Sequence, residues 1–179
     1  KKKALNWGVA QIGGTEHIAL ATFAKAAGIK YKVVPFGSGG KMVQALVSGG
    51  IDATLPNVSE VGDRVNDGTF KALAVMSEKR LGGYPKVPTT FENGFKVKGS
   101  TTRGYWVLKG TPKSAIKILS KGMIKAMKHK VFAAYLNNSG LSVKASVAGP
   151  KIWNAHIKSE YNNAYSALKE LGLLKKKKK

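Results

Sequence analysis

The sequence predicts an α/β fold, a parallel sheet built from strand–helix units and followed by a predominantly helical C-terminal third. Three observations predict it. Short apolar runs alternate with helix-period segments through the first seventy-odd residues, glycine clusters stand between strands and the helices that follow, and beyond residue 110 the apolar spacing is helical. Strands separated by helices of this length pair in parallel with right-handed crossovers.

Leu5-Asn6-Trp7-Gly8-Val9-Ala10 is the first strand candidate, and Ile12-Gly13-Gly14-Thr15-Glu16-His17 is a glycine turn that opens a helix. From His17 to Ala27 the residues Ile18, Leu20, Ala21, Ala24 and Ala27 recur at helical spacing, with Gly28 as the stop. Tyr31 to Phe36 reads as the second strand, and Gly37-Ser38-Gly39-Gly40 leads into a helix over Lys41 to Ser48, ended by Gly49-Gly50. Ile51 to Leu55 is a third strand, Val58 to Val65 a short helix, and Lys71 to Met76 a fourth strand. Glu78 to Ser100, with Pro85, Pro88 and several glycines, is a loop, and Gly104 to Leu108 is a strand suited to burial. Thr111 as N-cap and Pro112 at the first helical position start a helix carrying Ile116, Leu119, Met123 and Met127. A helix over Val131 to Asn138 stops at Ser139-Gly140. The last helix, Pro150 to Leu171, places Trp153, Ile157, Tyr161, Tyr165 and Leu168 on one packing stripe.

Composition excludes several classes. A hydrophobic fraction of 43% and a mean hydropathy of −0.17 fit a folded globular chain, and no apolar run is long enough to cross a bilayer. With no cysteine there is no disulfide, thiolate catalyst or cysteine zinc site. The formal charge is +22, of which the runs Lys1–Lys3 and Lys175–Lys179 supply eight; the remaining +14 is spread thinly along the chain. No compact basic cluster alternates with aromatics, so the charge reads first as a solvated surface. A basic nucleic-acid or anionic-surface binder is the rival reading, recognisable by affinity that falls steeply with salt. The start, without initiator Met or a hydrophobic leader, reads as a mature or trimmed form, and the five-lysine tail as frayed or artificial.

The candidate chemistry lies in the two glycine turns. The first turn of a helix leaves N–H groups unpaired at the positive pole of the helix dipole, and glycine lets a ligand approach that backbone. Two such turns from one parallel sheet emerge at the same edge, where α/β proteins bind ligands, and the expected ligand is an anion, most simply a carboxylate. The alternative is that both are ordinary tight connections. Gly37 through Lys41 lacks the spacing of a P-loop, and Met42 stands where a dinucleotide fingerprint needs glycine. His17, beside the first turn, is placed to hydrogen-bond a carboxylate, whereas His129 and His156 read as surface residues, and none of the three has a partner at metal-ligand spacing. Asp52 reads as a turn or cap residue. The nine acidic residues form no acid–base pair, and no serine occupies a nucleophile elbow. The sequence thus offers a binding protein with no catalytic residues, metal or cofactor.

The order of segments resembles a known family. Val34-Pro35-Phe36 with its glycine cluster, followed by Ala45-Leu46-Val47-Ser48-Gly49-Gly50-Ile51-Asp52, is similar to a segment of tripartite tricarboxylate transporter receptors. Gly68-Thr69-Phe70-Lys71-Ala72-Leu73-Ala74-Val75 with Glu78-Lys79-Arg80, then Val87-Pro88-Thr89 and Gly110-Thr111-Pro112, resemble further family motifs in the same order. The resemblance implies a periplasmic binding protein type II-like architecture, two lobes closing like a Venus flytrap, with a helical C-terminal segment. It implies an α/β ligand-binding lobe over 1–100, the family's second lobe, and a strand plus helical segment over 101–179 that returns to the first. The implied function is capture of a small organic acid, outside the cytoplasmic membrane, for the permease subunits of a transporter, with no specific nucleic-acid partner. Mapped onto this chain, the contacts are Gly13, Gly14, Thr15 and His17, joined by Ser38, Gly39 and Asn57. Family members begin with a first-lobe strand and glycine loop upstream of anything present here, so a missing N-terminal lobe segment is expected to supply the other jaw.

Overall fold

The computed structural model describes residues 4–174. Three parallel strands, β1 (Leu5–Val9), β2 (Tyr31–Pro35) and β3 (Ala53–Thr54), form one sheet in the order β2-β1-β3. The central strand pairs Leu5 with Tyr31 through Val9 with Pro35 on one side, and Trp7 with Ala53 and Gly8 with Thr54 on the other. Each strand is followed by a helix: α1 (Thr15–Ala27), α2 (Gly39–Val47) and α3 (Val58–Asn66). The C-terminal part contains α4 (Lys113–Ala126), α5 (Lys130–Asn138), the short α6 (Val143–Ser146), unforeseen from the sequence, and α7 (Pro150–Glu170).

Alternation along β1 sends successive side chains to opposite faces. Trp7 and Val9 bury against Leu20 of α1, with Tyr31, Val33, Ala53 and Leu55 packed around them. Gly8 faces the other layer, where a Cβ would stand 2.5 Å from Ile51 Cδ1 and 2.9 Å from Met42 Cγ, so the missing side chain is what lets these two close on the sheet. Asp52 ties β3 to β1, its Oδ2 accepting from the Asn6 amide at 2.7 Å while its own amide donates to Asn6 O at 2.9 Å.

The strand expected at Lys71–Met76 does not form: Val75 makes a single parallel bridge to Thr89. The strand expected at Gly104–Leu108 is likewise irregular. A strand needs a neighbour to complete its ladder, and within the described residues these runs have none beyond that one bridge. Their apolar side chains stand in solvent instead, Leu73 at 66%, Trp106 at 70% and Leu108 at 86% exposure. Thr111 is not the N-cap of α4. Pro112 holds that position, and Thr111 Oγ1 donates back to Leu108 O at 2.8 Å.

The loop between α3 and α4 is pinned by two buried threonines and an aromatic contact to α1. Thr89 and Thr90 are buried, and Thr90 Oγ1 donates to Val97 O at 2.6 Å. Phe95 stacks edge-on against Phe23 of α1. Helix α7 returns to α1 through Lys25 and Glu170, 2.8 Å apart. Near its start, Trp153 meets Trp106 edge-on and His156 Nε2 lies 2.7 Å from Thr102 Oγ1.

Candidate functional site

Because β1, β2 and β3 run parallel, their connections to α1, α2 and α3 emerge at one edge of the sheet. Backbone bonds draw the first two together: Phe36 N donates to Val9 O at 3.0 Å and Gly37 N to Ala10 O at 2.8 Å. The second and third also meet, since a Cβ on Gly39 would come within 3.0 Å of both carboxylate oxygens of Glu60 in α3.

The amides of the sequence-predicted residues divide into two groups. In the first turn, the Gly13 amide donates to His17 Nδ1 at 2.9 Å and the Gly14 amide to Gln11 O at 3.1 Å. The Asn57 amide is taken by Glu60 Oε2 at 3.2 Å, and the Lys41 amide by the N-capping Ser38 Oγ at 3.4 Å. These donors are satisfied within the chain. The amides of Thr15, Glu16 and His17 at the start of α1, and of Gly39 and Gly40 at the start of α2, meet no acceptor among the described residues. Two helix poles at one sheet edge therefore offer five N–H donors, the arrangement that accepts an oxyanion.

Thr15 and Asn57, together with Glu16 and Thr54, line an open cavity of about 1840 Å³ whose other walls are largely apolar, among them Leu73, Val75, Trp106 and Met123. Gly13, Gly14, His17, Ser38 and Gly39 lie outside that lining. Gly13 instead faces the C-terminal end of the chain, where a Cβ would stand 3.2 Å from Leu168. At the cavity wall the buried indole N–H of Trp7 has no acceptor among the described residues.

His17 is 7% exposed, and burial holds its pKa below the ordinary 6.5. The neutral ring is also what the geometry requires, because an Nδ1 that accepts from Gly13 carries no proton. Two features escaped the sequence reading. Glu60 places a carboxylate at the poles of both α2 and α3, and its signal was the Asn57–Glu60 spacing of a capping box. The Gly40 amide had no signal beyond the glycine cluster itself. Among the described residues no three His, Cys, Asp or Glu side chains gather to hold a metal ion, and no helix is long and apolar enough to cross a membrane.

The sequence matches the tripartite tricarboxylate transporter family receptor over residues 1–173. The chain belongs to that family. It is 24% identical over 177 residues to a UPF0065 protein of Bordetella pertussis strain Tohama I, an alignment covering 94% of this chain and 52% of the relative. Among solved structures it is similar to a TctC solute binding protein from Polaromonas, at 26% identity and a TM-score of 0.75, over 93% of this chain and 57% of that one. It also superposes on the R. palustris protein Rpa4515 with adipate, at 22% identity and a TM-score of 0.76, over 94% of this chain and 56% of that one. The fold of this family member is thus the periplasmic binding protein type II-like fold. The chain spans about half the length of the curated relatives it matches.

Proposed function

We propose that this chain is the ligand-gripping part of an extracytoplasmic solute receptor, holding a small organic acid by its carboxylate and passing it to a membrane permease without chemistry. The observation that carries the reading is the pair of helix poles at one sheet edge, with unpaired amides at Thr15, Glu16, His17, Gly39 and Gly40. The adipate held by Rpa4515 supports a carboxylate as the ligand class. In this reading Thr15 and Asn57 face the ligand, Ser38 and Gly39 present the second pole, and Gly13, Gly14 and His17 shape the first.

The open apolar cavity supports a division of labour. In this reading residues 1–100 are the gripping lobe, the family's second, and residues 101–179 return toward the first lobe, whose polypeptide would cover Leu73, Trp106 and Leu108. Without a second jaw to exclude water, affinity is expected to be weak, roughly in the high micromolar to millimolar range.

Titrating the ¹⁵N-labelled chain with adipate, succinate and citrate, followed by amide NMR, tests the reading. The amides of Thr15, Glu16, Gly39 and Gly40 should shift together and saturate. A folded chain whose shifts lie elsewhere, or that responds to none of these acids at tens of millimolar, would sink it.

A further inference from the structure

We propose that His17 is the positioning residue of the binding edge: its neutral ring latches the β1–α1 glycine turn through the Gly13 amide, and protonation of the ring opens the latch and releases the anion. The inference rests on the carboxylate reading for its last clause only; the latch itself stands on the geometry of the turn.

The turn has few other restraints. Gly13 adopts φ +76°, a left-handed conformation, and carries no side chain to pack. Its amide has one acceptor, His17 Nδ1, four residues ahead in the first turn of α1. The same first turn holds the unpaired amides of Thr15, Glu16 and His17, so the orientation of the pole follows the anchoring of Gly13. A proton on Nδ1 would set donor against donor across 2.9 Å, and it would also put a positive charge at the positive pole of the helix. Both effects act in the same direction.

The surroundings do not rescue the cation. On α1 the neighbouring acid is Glu16, whose carboxylate lies by Gly14. β1 and the turn from Ala10 to Gly14 carry no titratable group, and Tyr31 of β2 has a phenol that burial pushes upward, neutral throughout the range. From the C-terminal end, Leu168 and Leu173 approach Gly13, while Glu170 is engaged by Lys25. The segment that meets α1 at Ala19 and Phe23 carries Lys96 and Lys98, the latter paired with Glu78. Burial displaces the His17 titration downward, in the same direction as the clash with the Gly13 amide.

The test follows the ring and the turn separately from the ligand. Long-range ¹H–¹⁵N spectra of the whole chain should show His17 as the Nε2–H tautomer at pH 7.5, and hydrogen-exchange protection of Gly13 should fall about tenfold or more as the ring titrates. His17→Asn, whose Oδ1 stands where Nδ1 stood, should retain that protection at every pH, and His17→Phe should lack it at every pH. An Nδ1–H tautomer, or Gly13 protection indifferent to the ring's protonation in the wild type, overturns the latch without recourse to any variant. With adipate as probe, wild-type affinity should drop about tenfold between pH 7.5 and pH 5, a change of 1.4 kcal/mol, and His17→Asn should remove most of that drop. If the Gly13 response appears and adipate binds at neither pH, the latch holds and the carboxylate reading fails. If adipate binds equally at both pH values, the release claim fails and the carboxylate reading holds.

Discussion

Arg80 holds Glu92 by its Nε, 2.9 and 3.0 Å from the two carboxylate oxygens, and its Nη1 donates to Pro85 O at 2.8 Å. Glu92 in turn accepts from the Thr89 amide at 2.7 Å, and Thr89 Oγ1 accepts from the Glu92 amide at 3.0 Å. Two family motifs, the Lys79-Arg80 pair and Val87-Pro88-Thr89, are therefore one structural knot. The hydrogen bond from the Thr89 amide, followed by Arg80, holds the Glu92 carboxyl below its usual range. A depressed carboxyl stabilises the fold above its unfolded pKa and loses that contribution as pH falls through the folded value. Glu92→Ala should loosen the loop, so that trypsin cuts after Lys86 roughly several-fold faster at neutral pH, with the difference from wild type vanishing in acid-pulsed samples. Equal cleavage rates at pH 7 would remove the knot from the account.

The sheet centre should tolerate nothing larger than glycine at position 8. A methyl group there meets Ile51 and Met42, both buried, so Gly8→Ala should cost about 1–3 kcal/mol in urea unfolding. Leu20→Ala, which empties a fully buried site between Trp7 and Val9, should cost about 2–5 kcal/mol.

The exposed apolar runs should behave in the opposite way. Leu73→Ser and Leu108→Ser remove large side chains that touch solvent, so the urea midpoint should move by no more than about 0.5 kcal/mol equivalent. Binding of a hydrophobic dye should fall in the same variants. A large stability loss would mean that these runs are packed within the chain.

Glu60 is the chain's own anion at the poles of α2 and α3, next to Gly39. Replacing its charge by Glu60→Gln relieves like-charge repulsion against an incoming carboxylate, and adipate should bind roughly three- to tenfold more tightly by NMR titration. Unchanged affinity would place the ligand away from α2.

The pH dependence of stability follows from His17. Burial lowers its folded pKa below the ordinary 6.5 of the unfolded chain, so its contribution is complete above that value and is lost as pH falls through the folded one. The urea midpoint should decline between pH 7.5 and 5.5, and less steeply in His17→Asn.

How much of this was legible in the sequence depends on whether an element carries its own partner. β1, α1, β2, α2 and α3 could be read from periodicity and glycine stops because each buries against a neighbour close in the chain, as Leu20 does against Trp7 and Val9. Residues 71–76 and 104–108 have the composition of strands, yet a strand exists only beside another, and apart from the Val75–Thr89 bridge none is within reach among the described residues. Tyr161 and Tyr165 show the same limit: they stack on each other at 6.4 Å on an exposed face of α7, where spacing alone suggested packing. At the site, the glycine turns were visible, but which amides remain open was not. That depends on the rotamers of His17 and Glu60, which composition does not specify.

The contact between Lys25 and Glu170 spans 145 residues. Everything that makes the sheet lies within the first third of the chain, so it can collapse through short loops while the remainder is still being synthesised. The side of α1 that meets α7 is covered only once that helix, more than a hundred residues downstream, has been made.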